Sequence, residues 1–291
     1  MGHWLRRTYN APGLTEHPPG PTLGELTRRS RRTVRVRRYV DQTSTGLYAQ
    51  HAGMNEIAGA GSDEYGNAHG SEYDLIEDGS IIEAQVLILN LCSEANVIQP
   101  KAALERKGFE VIELRDCSRL SDALDEAAEL WVISDRVQHL TPSALDAIES
   151  FFYEGRGLYV WGDNDPYFVD ANLILQRLFK VSMFGDSPGD RVVTLRTPGG
   201  ASGMVPGHLV TTGLRNVYEG RTIAEVPATG GLNPLIYGSN GKVVTAYYDN
   251  RRCRAIIDGG FTRLYHNWES AGTDRYIVNA AAWLLNVERF C

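Results

Sequence analysis

The side chains in this sequence best suited to chemistry are carboxylates and amides placed at the ends of apolar runs. Asp163, Asn164 and Asp165 follow Gly157-Leu-Tyr-Val-Trp161-Gly162, and Asp135 follows Leu130-Trp-Val-Ile-Ser134. Asn90 closes Ala84-Gln-Val-Leu-Ile-Leu-Asn90, and Asp258 follows Cys253-Arg-Ala-Ile-Ile257. Clustered carboxylates suit a hard divalent cation or an acid/base pair for hydrolysis. The bland use of the same residues is to cap helices and tie down loops by accepting from backbone N–H groups, and it is the expected one. Buried like charges repel, so a true cluster needs a cation or an arginine beside it; Arg263 is the nearest in sequence. The candidate set is therefore Asp163, Asp258 and His266 for catalysis, with Asn90, Asp135, Asp163, Asn164, Asp165 and Arg263 for ligand binding. The sequence names no metal. His208 reads as a structural histidine, and Tyr265-His266-Asn267-Trp268 as an exposed loop with two aromatics.

These residues share an edge only if the runs are parallel strands. Ala84–Asn90 is almost continuously apolar, as a strand buried on both faces must be. Residues 100–107, closed by Gly108, read as a helix with a left-handed cap. Phe109–Leu114 alternates as a strand. Residues 121–128 read as a helix capped by Ser118 or Ser121, and Thr141-Pro142 opens another that runs to Tyr153. A helix from about Pro166 to Phe179 follows the central strand and its elbow. Strands alternating with helices at this spacing give βαβ units. The fold class is thus α/β: a flavodoxin-like, open, mostly parallel sheet with helices on both faces. Beyond Phe179 the texture is a β-rich C-terminal extension with turns at Asn240-Gly241 and Asp249-Asn250, closed by a helix from about Asp274 to Asn286.

Composition divides the chain into a basic Arg/Pro-rich arm (1–40), a flexible linker (41–80) and the α/β domain (81–291). Residues 1–38 hold nine Arg and no Lys against Glu16 and Glu25, a net of +7; the remaining 20 basic and 34 acidic residues net −14. Such polarity favours contact between the arm and an acidic body, its own or a neighbour's. A solvated tail is the first expectation for the arginine run, contact with nucleic acid or anionic lipid the lesser one, and Met54 is a second candidate start. Linker composition in 41–80 predicts flexibility, with Tyr48, Tyr65 and Tyr73 as candidate anchors. No apolar run reaches 18 residues, so no membrane span is expected. The N-terminus lacks an apolar signal region, and scattered Cys92, Cys117, Cys253 and Cys291 fit a reducing cytoplasm. Thr197-Pro-Gly-Gly-Ala-Ser-Gly203 lacks the Lys-Ser/Thr ending of a phosphate loop. Asn90-Leu-Cys-Ser-Glu-Ala-Asn96 lacks the dinucleotide glycines, so no cofactor is expected.

The order of these pieces resembles the class I glutamine-amidotransferase-like superfamily over about residues 82–288. The likeness rests on Gly155-Arg-Gly157-Leu-Tyr-Val-Trp-Gly-Asp163, His208-Leu-Val-Thr-Thr-Gly213-Leu and Pro234-Leu-Ile-Tyr237 with Gly241. It continues through Arg254-Ala-Ile-Ile-Asp258-Gly-Gly-Phe261, then Asp274 and Asn279-Ala-Ala-Ala-Trp283-Leu. The chain is most similar to the non-catalytic branch found in gliding-motility ABC-transporter components and intraflagellar-transport proteins, and to the trehalose-utilisation-type family. Catalytic members of the superfamily carry a Cys in the elbow and a His with a Glu after a late strand. Here Asp163-Asn164 takes the elbow, Asp258 ends the late strand, and His266 and Glu269 follow without that spacing. The resemblance implies a binding or scaffold module, joined to a protein partner or to its own copies by the arm. The alternative is a hydrolase using the Asp cluster, metal-dependent or not, with His266 as base.

Overall fold

The computed structural model describes residues 35–36, 63, 65–67, 70–268 and 272–287. Most of the arm, much of residues 41–80 and Tyr48 therefore lie outside the described residues, as do Glu269 and Cys291.

The molecule is built on one eight-stranded sheet. In chain order the strands and helices are β1 (Arg35–Val36), β2 (Ile81–Ile82), β3 (Gln85–Asn90), α1 (Ile98–Lys107), β4 (Glu110–Leu114), α2 (Leu120–Glu126), β5 (Glu129–Ile133), α3 (Pro142–Tyr153), β6 (Gly157–Trp161) and α4 (Val169–Leu178). There follow β7 (Phe184–Pro188), β8 (Val192–Thr194), β9 (Gly203–Met204), β10 (Asn216–Tyr218), β11 (Thr222–Glu225), β12 (Asn233–Tyr237), β13 (Val243–Asp249), β14 (Arg254–Asp258) and α5 (Thr273–Leu284). The main sheet runs β4-β3-β5-β6-β14-β13-β12-β9. Its first five strands are parallel, including β14 on β6, and β13, β12 and β9 add antiparallel. The β-rich half thus continues the same sheet, while β7–β11, β8–β10 and β1–β2 form two-stranded ribbons. This is the flavodoxin-like α/β class read from the sequence.

Period-two alternation sorts the core into two layers. Ile88, Trp131, Tyr159, Trp161 and Ile256 face one side, where α1 and α5 cover them. Leu89, Leu130, Val132, Val160 and Ile257 face the other, under α2, α3 and α4. Tyr159 and Trp161 stack at 4.2 Å between centroids, and Trp131 lies 5.0 Å from Tyr159. The closing helix is buried nearly all round, from Arg275 to Leu284, because the sheet lies under it and residues 70–76 and 209–214 pack over it. Gly157 permits its contact with the sheet: a Cβ there would stand 2.8 Å from that of Leu284.

Local signals explain some boundaries and not others. The Thr141 hydroxyl accepts from the Ala144 N–H at 3.2 Å, and Gly108 takes φ 99° after α1. Neither Ser118 nor Ser121 caps α2. Arg119 holds that position, and the Ser118 N–H donates instead to Asp116. The helix expected from Pro166 starts at Val169, because residues 164–168 form a tight turn in which the Tyr167 N–H donates to Asn164 and the Phe168 N–H to Pro166.

The ordered body also begins before Ile81, inside the stretch expected to be linker. Tyr73, Leu75 and Ile76 are buried, and the Leu75 N–H donates to Asn279 at 2.7 Å. The reason is electrostatic. Asp74 accepts from buried Lys107 at 2.6 Å and from Arg275 at 2.7 Å, and Asp78 also receives Lys107 at 2.7 Å. Two cations inside the fold need that carboxylate, and composition alone does not register such a need. Removing one member of a buried charge set costs about 3–5 kcal/mol, so Asp74→Ala is expected to lose that much stability in urea unfolding. Gly157→Ala should cost about 1–3 kcal/mol by overpacking β6 against α5, read from the same transitions.

Candidate functional site

Parallel β3, β5, β6 and β14 end at one edge of the sheet, the place where open α/β folds bind ligands. Asn90, Asp135, Asp163, Asn164, Asp165 and Asp258 all stand there. The edge is shared, but the side chains take separate partners.

Asp163 is 1% exposed and its two oxygens accept from the Thr222 hydroxyl, the Asn164 N–H at 2.9 Å and the Thr262 N–H at 3.1 Å. Burial pushes its carboxyl up to about 6, against the pull of those hydrogen bonds. Asp258 is fully buried. Its Oδ2 accepts from the hydroxyls of Thr245 and Tyr276 at 3.0 Å and of Tyr159 at 3.3 Å, and its Oδ1 accepts from the Gly260 N–H. Arg263, also buried, lies 3.3 Å from Oδ1 and donates to the carbonyls of Glu219 and Gly260. Burial raises Asp258, while the Arg263 guanidinium and the Tyr276 and Thr245 hydroxyls oppose that shift. Both carboxylates therefore grip one short helical turn, Phe261–Leu264, which the chain forms on leaving β14.

The other candidates are placed differently. Asn90 donates to the Ala95 carbonyl and to Glu113. Asp135 accepts from the Arg136 N–H and meets the His139 ring at 3.1 Å. Asn164 donates to the Asp165 carbonyl, and the Asp165 N–H donates to Gly185. His266 donates its backbone N–H to Thr262 and sets its ring 4.8 Å from that of Tyr265. Trp268, expected to be exposed, is buried in the core cluster. His208 retains some exposure as a residue, but its ring packs 4.3 Å from Tyr247 and 5.0 Å from Trp283. Desolvation, with Arg254 nearby, pushes it down to about 3, and its Nδ1 accepts from the Val210 N–H. Among the described residues no three His, Cys, Asp or Glu side chains come together as a metal site.

Two candidate nucleophiles near this edge, Cys92 and Ser134, are both enclosed. The Cys92 thiol is buried and raised by that burial, and the Ser134 hydroxyl accepts from the N–H groups of Asp170 and Ala171. Beside polar residues such as Glu94, Arg136, Gln138 and Asp165, the edge exposes three large apolar side chains. Ile98 is 72% exposed at the start of α1, Val137 53% after β5, and Phe184 50% at the start of β7. Across it the Tyr167 hydroxyl donates to Glu94 at 3.2 Å. The partners Thr222, Thr245, Tyr159 and Tyr276 escaped the sequence reading. Tyr276 reaches Asp258 from α5 and Thr245 across the β13–β14 hairpin, while Tyr159 and Thr222 come from distant strands with no local spacing to betray them.

No family model matches the chain, and neither does any curated protein. Solved structures similar to it include a ThuA-like protein from Bacteroides uniformis, 14% identical with a TM-score of 0.49 over 69% of this chain and 91% of that one. A cytoplasmic protein from Salmonella typhimurium is 12% identical, with a TM-score of 0.49 over 70% and 98%. A glutamine amidotransferase from Thermotoga maritima is 9% identical, with a TM-score of 0.40 over 71% and 94%. Among the described residues no helix is long and apolar enough to cross a membrane.

The Asp163 environment fixes a pH dependence. A folded-state carboxyl titrating at about 6 against an ordinary value near 4 holds its proton longer folded than unfolded. Its contribution to stability is complete below about pH 4 and is lost as pH rises through 6, an effect on the order of 3 kcal/mol. Asp163→Asn should flatten that slope in unfolding curves taken from pH 4 to 7.5. Asp258→Ala, which strands buried Arg263, should cost about 3–5 kcal/mol at neutral pH in the same assay.

Proposed function

We propose that this chain is a non-catalytic, amidotransferase-like binding or scaffold module, of the kind found in gliding-motility ABC-transporter components and intraflagellar-transport proteins. It assembles with a protein partner, or with its own copies, through the basic N-terminal arm. The observation that carries this reading is how the edge carboxylates are used. All four oxygens of Asp163 and Asp258 accept hydrogen bonds from groups inside the fold. Hydrolysis by an Asp cluster needs a carboxylate within reach of a substrate proton or water, and both of these side chains are sealed.

Two features support binding. The exposed Ile98, Val137 and Phe184 give the edge apolar contact points where a catalytic relative would hold its nucleophile. The arm's +7 against the body's −14 supplies long-range attraction for an acidic partner surface.

Native mass and partner capture from a lysate, compared between wild type, Asp163→Ala and an arm variant with Arg28, Arg29, Arg31 and Arg32 changed to Gln, test the proposal. Association is expected to survive Asp163→Ala and to fall in the arm variant. Turnover of ester or phosphoester substrates by the wild type, lost in Asp163→Ala while association is unchanged, would establish the hydrolase instead.

A further inference from the structure

Between α1 and the segment that precedes β2 runs a groove of about 610 Å³. Ala102, Ala103 and Trp268 form its apolar part, and Asp63, Asp78 and Asp274 stand along it. Its cations are engaged with carboxylates. Arg106 bonds both oxygens of Asp274 and lies 3.6 Å from Asp78, and Lys107 and Arg275 hold Asp74. Asp63 accepts only from neutral N–H groups, of Tyr65 and Asn67, and meets no cation among the described residues. Asp78 and Asp274 remain 44% and 39% exposed beyond their ion pairs. The groove therefore keeps unanswered negative charge beside an apolar surface. Arginine suits both, because its stem packs on apolar groups and its guanidinium pairs with carboxylates.

We infer that the occupant of this groove is the chain's own arginine run, residues 27–38. The inference rests on the proposed role of the arm and adds where the arm sits when no partner is present. One end of the run is already fixed: Arg35 and Val36 pair antiparallel with Ile82 and Ile81, three residues beyond Asp78. That pairing tethers the whole run beside the groove at a high effective concentration. Charge completes the match, since the run carries seven of the arm's nine arginines and no acidic residue. Assembly through the arm then competes with self-docking, and a partner must offer a more acidic surface than the groove to draw it out.

The test uses the full chain. Trypsin cleavage after Arg28, Arg29, Arg31 and Arg32 is timed at low salt in wild type and in Asp63→Asn/Asp78→Asn. Cleavage about tenfold faster in the variant is expected, the ratio that corresponds to about 1.4 kcal/mol. The difference should vanish in about 1 M salt, where the screening length is about 3 Å. Because Asp78 also serves Lys107, a second measurement leaves the body untouched. Hydrogen exchange over residues 99–106 and 272–275 should quicken when Arg28, Arg29, Arg31 and Arg32 are changed to Gln. Equal cleavage rates together with unchanged exchange overturn the inference. Protection that grows with protein concentration alongside a dimer mass overturns it too, in favour of a second copy as the source of the arm. Either result leaves assembly through the arm standing if the arm variant still loses association; failure of that association alone counts against the proposed function.

Discussion

The parallel pairing of β6 with β14 is the constraint on which the site depends. Register sets Asp258 opposite Trp161 and leaves Asp163 two residues beyond, so two carboxylates leave adjacent strands in a region closed to solvent. A charge in such a place must be answered or neutralised. Arg263 answers Asp258, while Asp163 is raised to about 6 by burial and is held by hydrogen bonds from Thr222, Asn164 and Thr262. Arg263 is itself held by the Glu219 carbonyl, and Thr222 reaches Asp163 from β11. The peripheral ribbons are thereby bolted to the end of the sheet. At this end of the sheet the two carboxylates act as a joint.

Burial acts with opposite sign elsewhere in the same body. Asp163, enclosed, is raised to about 6 and so takes up a proton sooner on acidification than a free carboxylate. His208, enclosed between Tyr247 and Trp283, favours its deprotonated neutral form, with a value near 3. Acidification therefore relieves the first site and loads the second, so the two act on stability with opposite sign.

The parts of the fold legible in the sequence are those with local causes. Continuous apolar runs gave β3, β5 and β6, Thr141-Pro142 fixed the start of α3, and Gly108 fixed the end of α1. What stayed hidden depends on distant partners. Residues 70–76 look like linker by composition, and only Lys107, Arg275 and Asn279, far along the chain, make them part of the core. Likewise, strand ends bring Asp163 and Asp258 to one edge, but periodicity cannot say whether a carboxylate there faces a ligand or a threonine. β7, β9 and β10 carry no such signal, because β7 is exposed at four of its five positions and the other two are only two or three residues long.

The clasp between Asp74 and Arg275 joins residues 201 apart, and that between Leu75 and Asn279 joins residues 204 apart. A ribosome delivers the first of each pair long before the second, at about 5–20 residues per second. From the synthesis of Trp161 to the end of α5 at Leu284, about six to twenty-five seconds, the nascent sheet thus lacks the helix that covers one face, with Trp131, Tyr159 and Trp161 open on it. The molecule closes like a latch, by its last helix, and the chain emerging from the ribosome spends that interval as an unfinished surface open to chaperones.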